Sequence, residues 1–293
     1  MRKYDVILCT YNGAYFIARQ IESILCQSIS PHKIIISDDY STDNTLDIIK
    51  QVCHEFQFYN VEIRKGERKG VVYNFLSALR YAESEHIFFA DQDDIWLPNK
   101  AEEFLASFAK LDQEQPTLVF SDARLIDELG NNIADSFFVY QGIDARIMED
   151  DSILYRNCVQ GASCAINKPL QELVIHSLSF IDIDNLYMHD WWFALLARYY
   201  GQYQFIEKPL LEYRQHTTNQ VGVFNHRYRF IYYITRFRGY LENFQRAIKQ
   251  VGELEYFTQH DMQYEHRLSD KNKRTYGLVS TLKIILIKFI FRK

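Results

Sequence analysis

Through the first half of the chain, short apolar runs alternate with longer stretches whose apolar positions recur at helical spacing. The runs at Asp5 to Cys9, Lys33 to Ser37, Val61 to Arg64, His86 to Ala90 and Thr117 to Ser121 predict strands. Between the first two, Ala14 to Cys26 places Ile17, Ile21, Ile24 and Leu25 on one face of a helix. After the second, Asp43 can cap a helix that buries Leu46, Ile49 and Val52 or Cys53. This alternation implies an α/β fold, a largely parallel sheet covered by helices on both faces. A further strand is expected at Cys164 to Ile166. From Phe230, the positions Phe230, Ile234, Phe237, Leu241, Phe244, Ile248 and Val251 advance by alternating steps of four and three, a long amphipathic helix with an apolar seam. The stretch LVSTLKIILIKFIFRK, residues 278–293, is apolar but interrupted by Lys283, Lys288, Arg292 and Lys293. It is too short and too charged to span a bilayer, and suits a helix lying in the interface with its lysines reaching phosphates.

Composition narrows this picture. With 47% hydrophobic and 24% charged residues among 293, disordered, collagenous and coiled-coil chains are excluded. The five cysteines include no CxxC pair, so neither a disulfide framework nor a zinc knuckle is expected, and reduced thiols in a cytosol fit best. The opening MRKYDVILCTYNG has no apolar run of signal-peptide length, so secretion is not expected. A net charge of −5 conceals a split: residues 1–225 hold 19 Lys+Arg against 32 Asp+Glu, whereas residues 226–293 hold 14 against 6. The chain therefore divides into a domain at 1–225 and a basic amphipathic helical extension at 226–293. The extension is expected to meet the inner face of a membrane, to pair in a homodimer, or to dock on the acidic body. Nucleic acid suits neither the acidic body nor the apolar tail.

In open α/β sheets ligands bind beyond the carboxyl ends of the strands. Here those ends carry Thr10-Tyr11-Asn12-Gly13, Asp38-Asp39, Asp91-Gln92-Asp93-Asp94 and Asp122. Carboxylates crowded on one rim repel unless a cation lies between them, which predicts a hard divalent ion. FFADQDDIW, Phe88 to Trp96, is the sharpest signal, because an apolar strand delivers two aspartates, one residue apart, into a loop. The basic cluster Arg64, Lys65, Arg68 and Lys69 reads as a phosphate attractor or a solvated loop.

Six blocks in order resemble glycosyltransferase family 2, the inverting nucleotide-sugar transferases of GT-A fold. They are VILCTYNG (6–13), IIISDDYSTDNT (34–45), ADQDDIWLP (90–98), QGASCAINK (160–168), MHDWW (188–192) and YRQHTTNQVG (213–222). The resemblance implies a GT-A-type mixed, mostly parallel sheet flanked by helices, with the helical extension following it. It also implies that Thr10, Tyr11 and Asn12 hold the nucleotide base, with the Tyr11 ring stacked on it. Asp39 would accept the base N3-H, which uracil and thymine share, while Asp38 braces the loop. Asp93, with Asp94 as the alternative, would ligate Mn²⁺ or Mg²⁺, and Asp91 would contact ribose or the metal through water. His216 would return to the metal or diphosphate, with Arg214 beside it. Asp190 would be the base that deprotonates the acceptor hydroxyl. Trp191 and Trp192 would shelter the site and stack on sugar faces, and the small residues Gly161, Ala162 and Ser163 would let donor and acceptor approach.

The implied activity is an inverting sugar transfer from a nucleotide-diphosphate donor to a surface polysaccharide or lipid-linked glycan, at the cytoplasmic face of a membrane. MHDWW with YRQHTTNQVG is most similar to rhamnosyltransferase members, favouring TDP-rhamnose, with UDP-hexose and UDP-N-acetylhexosamine as alternatives. The QxxRW block and membrane spans of processive synthases are missing, so single additions are expected. A dinucleotide oxidoreductase would need GxGxxG after the first strand, where TYNGAYF stands. A non-catalytic sugar-nucleotide-binding scaffold is the alternative of another class, which intact Asp93 and Asp190 disfavour.

Overall fold

The computed structural model describes residues 3–216 and 237–264, with side chains from 242 in the second segment. Its opening half alternates as the apolar pattern predicts: β1 (Tyr4–Thr10), α1 (Ile17–Leu25), β2 (Lys33–Asp38), α2 (Thr45–Glu55), β3 (Val61–Lys65), α3 (Val71–Ala78) and β4 (His86–Asp91). The first helix starts later than expected because Gly13 O accepts from both Phe16 N and Ile17 N, closing a turn before the helix proper. There follow β5 (Ile95–Trp96), α4 (Lys100–Phe108), β6 (Thr117–Ile126), β7 (Asn132–Ala134), α5 (Phe137–Gln141), β8 (Cys164–Asn167), α6 (Lys168–Ser177), α7 (His189–Tyr200), β9 (Gln202–Arg214) and α8 (Phe237–His260).

The sheet runs β3-β2-β1-β4-β8-β6-β9-β5, with β7 on the side of β6. Pairings β1·β2, β1·β4, β2·β3 and β6·β9 are parallel and make up the long ladders, while the shorter β4·β8, β6·β8, β6·β7 and β5·β9 are antiparallel. Central strands of such a sheet are covered on both faces, which is why β1 is buried along its whole length and reads as an apolar run from Val6 to Cys9. Its one acid, Asp5, is satisfied by Glu83 N, Ser84 N and Ser84 Oγ.

Register brings the chemistry together. Thr10 stands beside Asp38 and Cys9 beside Asp91, so the ends of β1, β2 and β4 open on one rim. Asp122 does not join them. Strand β6 continues to Ile126, and Asp122 is turned inward to accept from Phe138 N and Ser136 Oγ, holding the start of α5. At the opposite end, Ile95 pairs with Glu212 and Trp96 with Leu211, which carries the end of β9 back to the loop after β4.

Helix α8 lies on the body. Ala247, Val251, Leu254 and Phe257 are buried, Gln250 accepts from Tyr187 N, and Glu253 accepts from Asp182 N and Asn185 Nδ2. Of the expected seam, Val251 is buried, whereas Phe244 and Ile248 are half-buried. A strict seam drifts around a straight helix of 3.6 residues per turn. Phe230, Ile234 and the basic stretch 278–293 lie outside the described residues. No described helix is long and apolar enough to cross a membrane.

Candidate active site

A cleft of about 1110 Å³ opens at the carboxyl ends of β1, β2 and β4, roofed by α7 and α8. Thr10, Tyr11, Asn12, Asp39, Asp91, Asp93, Gly161, Asp190, Trp191 and His216 all line it. One wall is the loop after β1. Gln92, which sequence reasoning passed over, is its clamp: Oε1 accepts from Thr10 Oγ1 (2.7 Å) and Tyr11 N (2.8 Å), and Nε2 donates to Tyr11 O (3.2 Å). Tyr11 is 57% exposed, leaving its ring free at the rim. Asn12 spends its side chain on the neighbouring loop, accepting from Thr42 N, so it shapes the wall. Asp39 Oδ1 accepts from Arg68 N (2.7 Å), while Asp38 Oδ2 accepts from Ser41 N and braces the turn, as expected.

Across the cleft floor, Asp93 Oδ2 and His216 Nε2 stand 2.6 Å apart although 123 residues separate them. The β5·β9 pairing and the stacking of His216 on Phe16 fix that approach. Among the described residues no three His, Cys, Asp or Glu side chains form a metal cluster by themselves. Asp93 and His216 are an O/N donor pair of a kind that would suit a hard divalent cation as part of its ligand set. Asp94, the alternative ligand, is 1% exposed and accepts from Arg214 N, so it faces away from the cleft. Burial, followed by Asp93 and Asp91, raises its carboxyl well above the usual range. Asp91 is raised as well, by burial first and then by Asp93 and Asp190.

Arg214 corrects an expectation. Its guanidinium is drawn inward to Asp93 O (2.8 Å), Asp127 O (3.2 Å) and Glu128 O (3.1 Å), at 5% exposure. It pins the aspartate loop and presents no free fork to a diphosphate. Trp192 is fully buried, donates to Ser177 Oγ and belongs to the core; it cannot stack on a sugar. Trp191 reaches the cleft wall but is tied to Ile153 O and 4% exposed. Ala162 and Ser163 are likewise buried away from the cleft, and only Gly161 reaches it. Ala162 O accepts from the fully buried Lys100, whose ammonium sits 3.9 Å from the centre of the Trp96 ring.

Asp190 lies in the first turn of α7, where the helix N-terminus favours an acid. Asn157 Nδ2, a partner the sequence did not reveal, donates to its Oδ1 (3.0 Å), and the backbone amides of Gly161 and Trp191 add to this. Burial outweighs them and lifts the carboxyl to about 7. That value is suited to a group that must take a proton near neutrality.

Comparison with known proteins agrees with this geometry. The profile of glycosyl transferase family 2 matches residues 5–127. The chain is 30% identical over 228 residues to the dTDP-rhamnosyl transferase RfbG of Shigella flexneri, covering 73% of each chain. It is 27% identical over 177 residues to the UDP-Glc:alpha-D-GlcNAc-diphosphoundecaprenol beta-1,3-glucosyltransferase WfgD of Escherichia coli, covering 60% of this chain and 63% of that one. Among solved structures, S. aureus TarS 1-349 in complex with UDP superimposes with a TM-score of 0.57 at 16% identity, over 90% of this chain and 68% of that one. The mixed sheet is thus the fold of GT-A transferases, and on the strength of the relative matched over most of both sequences, the chain belongs to glycosyltransferase family 2.

Proposed function

We propose that the protein is an inverting transferase that moves a sugar, with dTDP-rhamnose the favoured donor, onto a hydroxyl of a lipid-linked surface glycan at the cytoplasmic face of a membrane. The observation that carries the reading is the buried Asp190 carboxyl in the wall of the cleft that the Asp93 and His216 pair also lines. Tyr11 stacks on the base and Asp39 accepts its N3-H, with Gln92 holding the loop that presents Tyr11. Asp91 takes the ribose. Asp93 and His216 would hold Mn²⁺ or Mg²⁺, which would neutralise charge on the departing diphosphate. Asp190 removes the proton of the acceptor hydroxyl as its oxygen attacks the anomeric carbon, and the bond to the diphosphate breaks in the same displacement, which inverts the centre. Asn157 orients the base, and α8 closes the acceptor side through Asn243 and Phe244.

Similarity to RfbG supports dTDP-rhamnose, and the name of WfgD supports a glycan on a diphosphate lipid. The basic stretch 278–293 supplies the membrane contact. WfgD also favours a second reading, UDP-glucose as donor, because the N3-H contact is the same for both bases. The deciding experiment incubates the protein with dTDP-rhamnose or UDP-glucose, Mn²⁺ and a membrane extract as acceptor source, and follows nucleotide release with sugar incorporated into lipid. Release of dTDP coupled to labelled lipid supports the reading. Release of UDP alone transfers it to the second reading, and no release from either donor refutes both.

A further inference from the structure

Buried polar side chains in folded proteins almost always find hydrogen-bond partners. Leaving one unpaired costs about 1–3 kcal/mol. Two neighbours of Asp190 depart from this rule. His189 is 1% exposed and neither ring nitrogen has a partner. Gln160 is half-buried, and both its amide oxygen and its amide nitrogen are shut off from solvent and unbonded. Both residues line the cleft; Gln160 precedes Gly161 in sequence, and His189 packs against Gly161. Gly161 is what lets His189 sit so close to that segment, since a Cβ at that position would lie 2.9 Å from His189 Nε2. The apolar surface of the imidazole is satisfied by stacking on Phe75 at 4.1 Å and by the edge of Phe193 at 5.6 Å. Only its nitrogens are left wanting.

The chemistry of the four atoms limits what they can take. Burial pushes the His189 imidazole down to about 3, so it is neutral, with one nitrogen donating and the other accepting. The Gln160 amide also offers one donor group and one acceptor. With no charge on either, and with Asp91 and Asp190 close by, an anion is disfavoured. A cation would face the donors. A hydroxyl donates and accepts at once and complements every atom in the set.

The geometry points to a sugar subsite beside Asp190, in which Gln160 and His189 bind ring hydroxyls of one of the two sugars. This deepens the transferase reading and rests on it. The hydroxyls belong either to the transferred sugar or to the acceptor residue, for both approach the same carboxyl. A site built to bond a hydroxyl rejects an analogue lacking it far more strongly than an apolar wall does, so the pair is placed to set specificity.

The test uses the full chain with Gln160→Met and His189→Phe, which keep volume and, for the second, the stack on Phe75. Titration calorimetry gives the affinity for dTDP, dTDP-rhamnose, UDP and UDP-glucose, and turnover gives KM for a synthetic N-acetylglucosaminyl-diphosphate alkyl acceptor. The expected result leaves nucleoside diphosphate affinity within about twofold of wild type. Affinity for the nucleotide sugar then falls by ~10-fold or more, equivalent to ~1.4 kcal/mol, if the donor is bound. If the acceptor is bound, its KM rises by that factor with donor affinity retained. Variants that match wild type on both counts overturn the subsite and assign the atoms to bound water. Gln160→Met alone decides the question should the buried His189 variant not fold. A wild-type protein that neither binds a nucleoside diphosphate nor turns over a donor refutes the transferase reading itself, a result distinct from indifferent variants of an active enzyme.

Discussion

Replacing Asp190 by Asn is expected to stabilise the protein above neutrality while disabling it. The carboxyl is 5% exposed, and its bonds from Asn157 and two backbone amides do not repay the loss of water, so burial lifts it from 3.8 to about 7. At ~1.36 kcal/mol per pH unit, keeping it charged costs the fold about 4 kcal/mol. The sign follows from the folded value lying above the unfolded one. Below about 3.8 the group is neutral in both states and costs nothing; the cost grows as pH rises toward about 7 and is constant beyond. Asparagine has the same shape without the charge. Its carbonyl can still accept from Asn157, but its amide group meets other donors, a mismatch of about 1–3 kcal/mol. The net gain near pH 8 is then about 1–3 kcal/mol, shrinking to nothing or reversing near pH 5. Urea unfolding of both proteins at the two pH values measures it, while turnover at neutral pH should fall by ~100-fold or more. Equal stability differences at both pH values, or a less stable variant near pH 8, would refute the claim that burial raises this carboxyl. A wild-type rate in the variant would remove Asp190 as the base.

Asp93→Asn should abolish turnover supported by Mn²⁺ or Mg²⁺ and leave the circular dichroism spectrum unchanged; full activity of that variant in EDTA would sink the metal assignment. Gly161→Ala would set a methyl 2.9 Å from Nε2 and 3.1 Å from Cε1 of an imidazole already stacked on Phe75. It should cost about 1–3 kcal/mol in thermal unfolding as an overpacked site, and an unchanged melting temperature would show that His189 can move. Removing residues 278–293 should release the protein from anionic vesicles in a sedimentation assay, and binding that survives the deletion would assign the tail a structural role.

Local pattern alone determined much of this protein. Strands buried on both faces are mostly apolar, so β1, β2 and β4 are legible as runs, and α1 and α2 follow from the spacing of Ile17, Ile21 and Ile24 and of Ile49 and Val52. Loop composition marked the rim, where Thr10, Tyr11, Asp39, Asp91, Asp93 and Asp190 meet in one cleft. What the tertiary structure decided was the direction each side chain takes once distant segments press on it. Asp93 and Asp94 are adjacent, yet one faces the cleft and the other is claimed by Arg214 N, because β9 crosses beside β5. The same crossing turns the Arg214 guanidinium onto backbone carbonyls and sets His216 against Asp93. Trp191 and Trp192 follow one another, but a helix turns about 100° per residue, which leaves the first at the cleft wall and sends the second into the core. Gln92 and Gln160 lie within the blocks that resemble the family, but no role was legible for either, nor for Asn157, since what an amide does depends on the partners that long-range packing brings or withholds.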